Sequence, residues 1–139
     1  MLLNPKRWKF RKRHVKPLKW KSVKWSYMSF WEYWLKAITS WYLTNKQLEA
    51  ARKVVVRNIK KVWQIRFRVF PDVPLTKKWL EMPMGTWKWD VDIYAAAVRK
   101  WKIILEITWL SSDEAVRVLT SAWKKLPIKT RVVLKWEIR

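Results

Sequence analysis

The sequence lacks several residue types on which enzyme sites depend. It has no cysteine and a single histidine, His14, which excludes disulfides, thiolate metal sites and histidine-based triads. Its 10 acidic residues are outnumbered by 32 lysines and arginines. We predict a solvated or lysine-paired surface role for Asp90 and Asp92, because neighbouring lysines neutralise carboxylates rather than adjust their pKa for catalysis. We therefore predict that the chain is not an enzyme and needs no cofactor or metal.

Long apolar segments are also missing. Charge begins at Lys6 with no apolar segment behind it, which argues against a secretory signal. No stretch approaches the roughly 18 apolar residues of a transmembrane helix.

Positive charge is what the chain has in excess, with a formal net charge of +22 at pH 7. Residues 1–25 contain many lysines and arginines and no acid. A field of this strength serves to meet a polyanion, which is nucleic acid or, less often, an anionic membrane. Residues 1–26 show no hydrophobic period, and we predict that they form a basic extension that is mobile without a partner.

Two helices are indicated by their caps and their apolar periodicity. The segment 44–47 has the spacing of a capping box, and apolar residues recur every three or four positions up to Val62. This pattern predicts a helix over 44–62 that ends at Trp63, where a left-handed residue, usually glycine, is expected. A second capping box at 111–114 predicts a helix that runs to about Lys125.

Several strands are predicted around these helices. Residues 27–38 suggest one or two short strands, and residues 64–70 alternate as a strand that Pro71 and Pro74 end. Residues 76–90 are predicted to form a long basic loop. Strands over 91–98 and 102–108 are expected to form a hairpin through residues 99–101, and a last strand covers 129–135. The fold class is therefore α+β: two helices packed on a mostly antiparallel sheet in a single domain over 27–139.

Short motifs along the whole chain carry a family resemblance. They are Asn4–Arg7, Lys9–His14, Ser29–Phe30, Glu32–Tyr33, Leu35–Ala37, Leu43–Thr44, Gln47–Arg52, Arg68–Asp72, Thr76–Lys78, Met84–Gly85 and Lys125–Thr130. In this order they cover residues 1–135 and resemble the bacterial-type family of large-subunit ribosomal protein sixteen. Two departures are Pro83, where bacterial members commonly have an arginine, and Val15–Pro17, which replaces a frequent Arg-Gly-Arg type of stretch.

The resemblance implies a structural role in the ribosome. Family members bind large-subunit rRNA near the base of the central protuberance and support the site where aminoacyl-tRNA is accommodated. The implied partners are large-subunit rRNA, A-site tRNA and neighbouring ribosomal proteins, with no membrane. Because Met1 runs directly into the family motif, we expect no transit peptide and place the protein on ribosomes of the bacterial cytoplasm, ahead of an organelle matrix or stroma.

The resemblance and the charge pattern together define candidate site residues. The extension 1–26 becomes an rRNA-binding segment, and the loop 76–90 becomes an arm that reaches towards tRNA and the catalytic RNA. The candidate RNA-binding residues are Lys6, Arg7, Lys9, Arg11, Lys12, Arg13, His14, Lys16, Lys19, Lys21, Lys24, Arg52, Arg66, Arg68, Lys77, Lys78, Lys88, Lys125 and Lys129. The tRNA-proximal loop residues are Met82, Met84, Gly85 and Lys88.

The chain holds 14 tryptophans and one glycine, Gly85, which is the reverse of ordinary usage. Strand positions where the family often has tryptophan instead hold Phe67 and Tyr94. Some bacterial lineages read the codon UGA as glycine, whereas a common alternative translation table reads it as tryptophan. We therefore hypothesise that most of these tryptophans are glycines in the living protein. The tryptophans at common glycine positions of the family are Trp20, Trp25, Trp31, Trp34, Trp41, Trp63, Trp87, Trp89, Trp101, Trp109 and Trp123.

Two alternative functions remain beside the ribosomal one. A protein rich in tryptophan and lysine could bind a membrane surface, since tryptophan prefers the headgroup zone and lysine attracts anionic lipid. That function predicts helix faces built from tryptophan, whereas the helix stripes here consist of Leu, Val, Ile and Ala. A non-specific nucleic-acid-binding protein would require the positive charge alone.

Overall fold

Seven strands and two helices make up the part of the chain that the structure describes. The structure is a computed structural model, and it describes residues 3–7, 12–24, 26–27, 29–59, 65–83, 85, 87–108 and 110–135. In chain order the elements are β1 (Tyr33–Ala37), β2 (Trp41–Thr44), α1 (Asn45–Asn58), β3 (Ile65–Phe67), β4 (Val73–Thr76), β5 (Val91–Val98), β6 (Ile103–Ile107), α2 (Ser112–Trp123) and β7 (Thr130–Leu134).

The strands form two antiparallel sheets. One sheet has four strands in the order β3-β6-β1-β7, and the other has three strands in the order β2-β5-β4. The two helices pack against each other, and α2 also contacts β1 and β7. The α+β class is confirmed, and the single sheet expected from the sequence is divided into two.

One hydrophobic core joins both sheets and both helices. The apolar stripe predicted for α1 lies in this core, where Leu48 and Val55 are fully buried. Leu119 of α2 and Leu35 of β1 are equally buried. Since burying one such side chain stabilises a fold by roughly 1.5–3 kcal/mol, this shared core is what holds the helices on the sheets.

The predicted start of each helix is confirmed by its cap. The Thr44 hydroxyl accepts a hydrogen bond from the Gln47 amide at 3.3 Å, and the Thr44 amide donates to the Gln47 side chain at 3.0 Å. These reciprocal bonds satisfy amides that have no partner within the helix. At the second helix the Ser111 hydroxyl accepts from the Glu114 amide at 3.4 Å.

The end of α1 corrects the predicted helix span of 44–62. The helix stops at Asn58, because Ile59 leaves helical backbone with φ −97° and ψ 84° and is buried in the core. The amide of Ile59 still donates to the Val55 carbonyl at 3.0 Å. The predicted terminator Trp63 lies outside the described residues.

The predicted hairpin over 91–108 is wrong. Strands β5 and β6 occupy different sheets, β5 between β2 and β4, and β6 between β1 and β3. The turn that joins them is bonded to the end of β1 instead: the Trp101 amide donates to the Ala37 carbonyl at 2.7 Å, and the Ala37 amide donates to the Lys102 carbonyl at 3.0 Å. The turn therefore passes the chain from one sheet to the other.

Two strands were missed in the sequence. Strand β2 ends at the capping residue Thr44, and β4 contains Pro74, where the sequence predicts the end of a strand. Proline has no amide hydrogen to donate, but β4 is an edge strand with a single neighbour, β5. An edge position tolerates proline because the side without a neighbour needs no donor. Strand β3 is shorter than predicted, ending at Phe67, and β7 lies within the predicted span 129–135.

A buried ion pair links the end of β3 to the neighbouring strand β6. The Arg68 guanidinium contacts the Glu106 carboxylate, and their side chains are only 4% and 1% exposed. Arg68 also lies with its guanidinium carbon 5.6 Å from the centre of the Phe30 ring. Because each charge is removed from water, each depends on the other for its solvation.

We expect Glu106→Gln to lower the free energy of unfolding by about 3–5 kcal/mol, because it removes the negative charge that faces the buried Arg68 guanidinium. The double variant Arg68→Met, Glu106→Leu should recover most of that loss. Urea denaturation of the three proteins measures the effect, with the exposed Glu32→Gln as control. A loss no larger than that of the control would contradict this account of the pair.

Candidate nucleic-acid interface

The described part of the extension lies on the domain at three places. The Asn45 side chain donates to the Asn4 side chain at 2.6 Å. The Tyr42 hydroxyl donates to the Lys16 carbonyl at 2.5 Å. The Ser22 amide donates to the Lys100 carbonyl at 2.8 Å. These bonds join the described part of the segment to the starts of α1 and β2 and to the turn after β5.

The extension also meets the basic loop, which spans residues 77–90 because Thr76 belongs to β4. The Lys12 ammonium donates to the Lys88 carbonyl at 2.7 Å and lies 3.0 Å from an Asp90 carboxylate oxygen. In return the Lys88 ammonium donates to the Arg13 carbonyl. We call these four residues the lysine clasp. It joins two basic segments that are more than 70 positions apart, Lys12 and Lys88 being separated by 76 residues.

Most of the predicted RNA-binding side chains lie on the surface. The clasp members Lys12 and Lys88 are half-buried, as are Lys78 and, on α1, Arg52. Lys9 and Arg11 lie outside the described residues, as does Met84 of the loop. The exposed members are Lys6, Arg7, Arg13, His14, Lys16, Lys19, Lys21, Lys24, Arg66, Lys77, Lys125 and Lys129.

Two of the predicted arginines are paired with glutamates of the protein itself. The Arg68 side chain is buried against Glu106, which removes it from the surface that could meet RNA. Arg52 donates two hydrogen bonds to Glu49, at 2.9 and 2.7 Å. These bonds from Arg52 lower the pKa of Glu49 from 4.5 to about 2, so the carboxylate stays charged although it is nearly buried.

Basic residues of the 99–102 turn were missed by the sequence reasoning. The Lys100 carbonyl holds the extension through Ser22, and the Lys21 ammonium lies 4.5 Å from the centre of the Trp101 ring. Lys36 of β1 approaches the same ring at 5.7 Å. Burial lowers the pKa of Lys102 in this turn. The sequence signal that could have identified these residues was the basic run 99–102, which we interpreted only as a hairpin turn.

Arg66 forms a separate aromatic contact on the edge strand β3. Its guanidinium carbon lies 4.1 Å from the centre of the Phe30 ring and 5.5 Å from that of Trp31. Both Arg66 and Phe30 are exposed. Stacking on an aromatic face orients the guanidinium without neutralising its charge, which leaves it able to bind a phosphate.

The middle of the basic loop exposes apolar side chains. Leu80 is 100% exposed, and Met82 is exposed beside it. Gly85 has a φ of 134°, a conformation that other residues rarely adopt. An open groove of about 480 Å³ lies between the two ends of the loop, where Trp87 and Trp89 have ring centres 5.7 Å apart.

The acidic residues Asp90 and Asp92 lie on the surface, as predicted from the sequence. Asp90 is 92% exposed and paired with Lys12, as the lysine-paired alternative predicted. Within the described ranges, no three His, Asp or Glu side chains come together as a group that could hold a metal ion. No helix in the same part of the chain is long and apolar enough to span a membrane.

The family follows from a match over almost the whole chain. The sequence profile of the family described as "Ribosomal protein L16p/L10e" matches residues 5–133. The chain belongs to this family. Its members are structural, non-enzymatic components of the ribosome, which agrees with a surface built from lysine and arginine rather than from acid–base groups.

Curated relatives share the full length of the family domain. "Large ribosomal subunit protein uL16" of Rickettsia akari (strain Hartford) is 38% identical over 136 residues, covering 98% of this chain and 100% of the relative. The proteins of the same name from Rickettsia bellii (strain OSU 85-389) and Rickettsia canadensis (strain McKiel) are 38% and 37% identical, with the same coverage. The similarity therefore includes the extension, the loop and both sheets.

We expect the stability that Glu49 contributes to be present in full above pH 4.5 and to be lost as the pH falls towards about 2. The sign follows from the lowered pKa, because the folded state binds the proton more weakly than the unfolded state. Urea denaturation across this range should show a steep acid loss in the parent protein and a shallower one in Glu49→Gln. The exposed Glu81→Gln should keep the parent slope, and equal slopes in all three would contradict the Arg52–Glu49 assignment.

Proposed function

We propose that this protein binds large-subunit rRNA through one basic surface built from the extension and the loop 77–90. The observation that carries the proposal is the lysine clasp, which holds the extension and the loop side by side. Lysine and arginine side chains neutralise backbone phosphates and release the ions condensed on them. A surface of this kind supplies strong binding and holds the protein in place, as a structural ribosomal component requires.

The exposed tip of the loop is the segment that we propose to reach A-site tRNA. Support comes from the exposure of Leu80 and Met82 and from the family resemblance of Met84–Gly85. The Rickettsia relatives support ribosomes of the bacterial cytoplasm as its location. The apolar stripes of both helices are buried in the core, which speaks against a membrane-surface function that would need them exposed.

Charge neutralisation in the extension tests the RNA-binding function. In the full chain, the triple variant Lys16→Gln, Lys19→Gln, Lys24→Gln should weaken binding to large-subunit rRNA. It should also reduce the slope of log K against log salt by about 2–3, because each phosphate contact contributes about 0.7–0.9. Filter binding at several salt concentrations measures both quantities.

The matched control removes the same charge from exposed positions outside the proposed surface, as Lys53→Gln, Arg117→Gln, Lys124→Gln. This control should change the slope less than the extension variant does. Equal slopes for the two triple variants would show that net charge alone drives binding, which is the non-specific alternative.

We also propose that most tryptophans at family glycine positions are glycines in the living protein. Support comes from Trp101, which has a φ of 72° and is the one residue other than glycine with a positive φ among the described positions. The left-handed region costs a residue with a side chain about 1–2 kcal/mol, and glycine adopts it freely. At residue 101 the turn 99–102 thus has a backbone conformation that favours glycine, the residue that the family resemblance implies there.

The exposure of the rings adds a second argument. Trp20, Trp41 and Trp87 are 75%, 60% and 67% exposed, which is unusual for so large an apolar side chain. Trp34 differs, since it lies in β1 and is only 1% exposed. The proposal that position 34 is a glycine therefore rests on its sequence position alone. Trp63, the sharpest case in the sequence, lies outside the described residues.

Two measurements test the glycine assignment. Peptide mass spectrometry of the native protein should find glycine at position 101, and tryptophan there would end the proposal for this site. In recombinant protein, Trp101→Gly should be more stable than Trp101→Ala by about 1 kcal/mol, since both lose the ring and only alanine keeps the left-handed strain. If alanine is the more stable of the two, the turn does not require glycine.

A further inference from the structure

We infer that the lysine clasp fixes the extension and the loop as one preformed surface, and that Asp90 thereby raises RNA affinity although it carries the same sign of charge as RNA. The inference rests on the proposed RNA-binding function and adds to it a positioning role for Lys12, Lys88 and Asp90.

The clasp is reciprocal in its bonding. Lys12 of the extension donates to a main-chain carbonyl of the loop, that of Lys88, at 2.7 Å. Lys88 of the loop donates to a main-chain carbonyl of the extension, that of Arg13. Each segment therefore supplies one ammonium group and one carbonyl, so the contact fixes the two backbones relative to each other.

Asp90 completes this arrangement. Its carboxylate lies 3.0 Å from the Lys12 ammonium while that ammonium also donates to the Lys88 carbonyl. Asp90 is 92% exposed, so a phosphate that approached this surface would be repelled by an unpaired carboxylate. Its presence among basic segments is explained by orienting Lys12 towards the loop.

The clasp works together with the anchors on either side. Beyond Arg13 the extension is bonded again at Lys16, by Tyr42, and at Ser22, by Lys100. The exposed lysines between these points are thus held on a short, repeatedly tethered backbone. The hydrogen bonds and the ion pair of the clasp join atoms of lysine, aspartate and the main chain, and the Lys12 ammonium also lies 5.6 Å from the centre of the Trp87 ring.

A preformed surface binds more tightly than a flexible one of equal charge. Ordering a free segment on binding opposes association through lost conformational entropy, and a segment already held by the protein loses less. Opening the clasp should therefore weaken RNA binding even when the change makes the protein more positive. Net charge alone predicts the opposite result, tighter RNA binding. The direction of the change in affinity therefore tests the inference.

The test compares Asp90→Asn with Asp92→Asn in the full-length chain. Each variant removes one negative charge, and the two positions lie two residues apart at the start of β5. Asp92 forms no ion pair with any residue in the described ranges.

Binding to large-subunit rRNA is measured at one fixed salt concentration. Asp90→Asn should raise the dissociation constant about two- to fivefold, the range expected from losing an exposed ion pair of up to 1 kcal/mol. Asp92→Asn should leave it unchanged or lower it.

Hydrogen exchange of the RNA-free proteins gives an independent readout. Amides of residues 12–22 should exchange faster in Asp90→Asn than in the parent protein, and at the parent rate in Asp92→Asn. Tighter or unchanged RNA binding by Asp90→Asn, or unchanged exchange in this segment, would overturn the clasp. If the parent protein itself fails to bind rRNA, the proposed function fails, and the exchange rates still decide whether the clasp orders the extension.

Discussion

The two hydrogen bonds between Ala37 and the turn at 101–102 connect the parts of this protein. They join the end of β1, an inner strand of the four-stranded sheet, to the segment that leaves the three-stranded sheet. The same turn presents the Lys100 carbonyl to Ser22, so the course of the extension depends on it as well. The positive φ of residue 101 is the geometric condition for the turn. A local backbone requirement thus controls both the joining of the sheets and the place of the extension.

Acidic residues are few, and three of them hold a basic residue in a defined position. Glu106 holds Arg68 inside the sheet, Glu49 holds Arg52 on α1, and Asp90 holds Lys12 at the clasp. Their surroundings range from buried to almost fully exposed. The buried pair organises the domain, because neither charge can be left alone in the interior. The exposed pair contributes little stability and serves instead to direct a segment of the surface.

Sequence patterns predicted the features that depend on neighbouring residues. The caps at Thr44 and Ser111 were confirmed because a cap involves only residues within one turn of helix. The hairpin over 91–108 was wrong because adjacency in sequence does not decide which strands pair when a chain changes sheet. Pro74 was misjudged for a related reason: whether proline fits a strand depends on its being at an edge, and an edge is a property of the whole sheet.

The sequence by itself determined the α+β class, the starts of the helices, the basic character of the surface and the family, because composition, periodicity and motif order are written along the chain. The tertiary structure alone decided that Arg68 is internal while the neighbouring Arg66 is exposed. It also decided that Lys12 meets Lys88 and Asp90, and that the extension lies along the domain. These outcomes depend on contacts between residues that are distant in sequence. Residues of the same charge cannot be told apart in the sequence, and they differ only in the neighbours that the fold gives them.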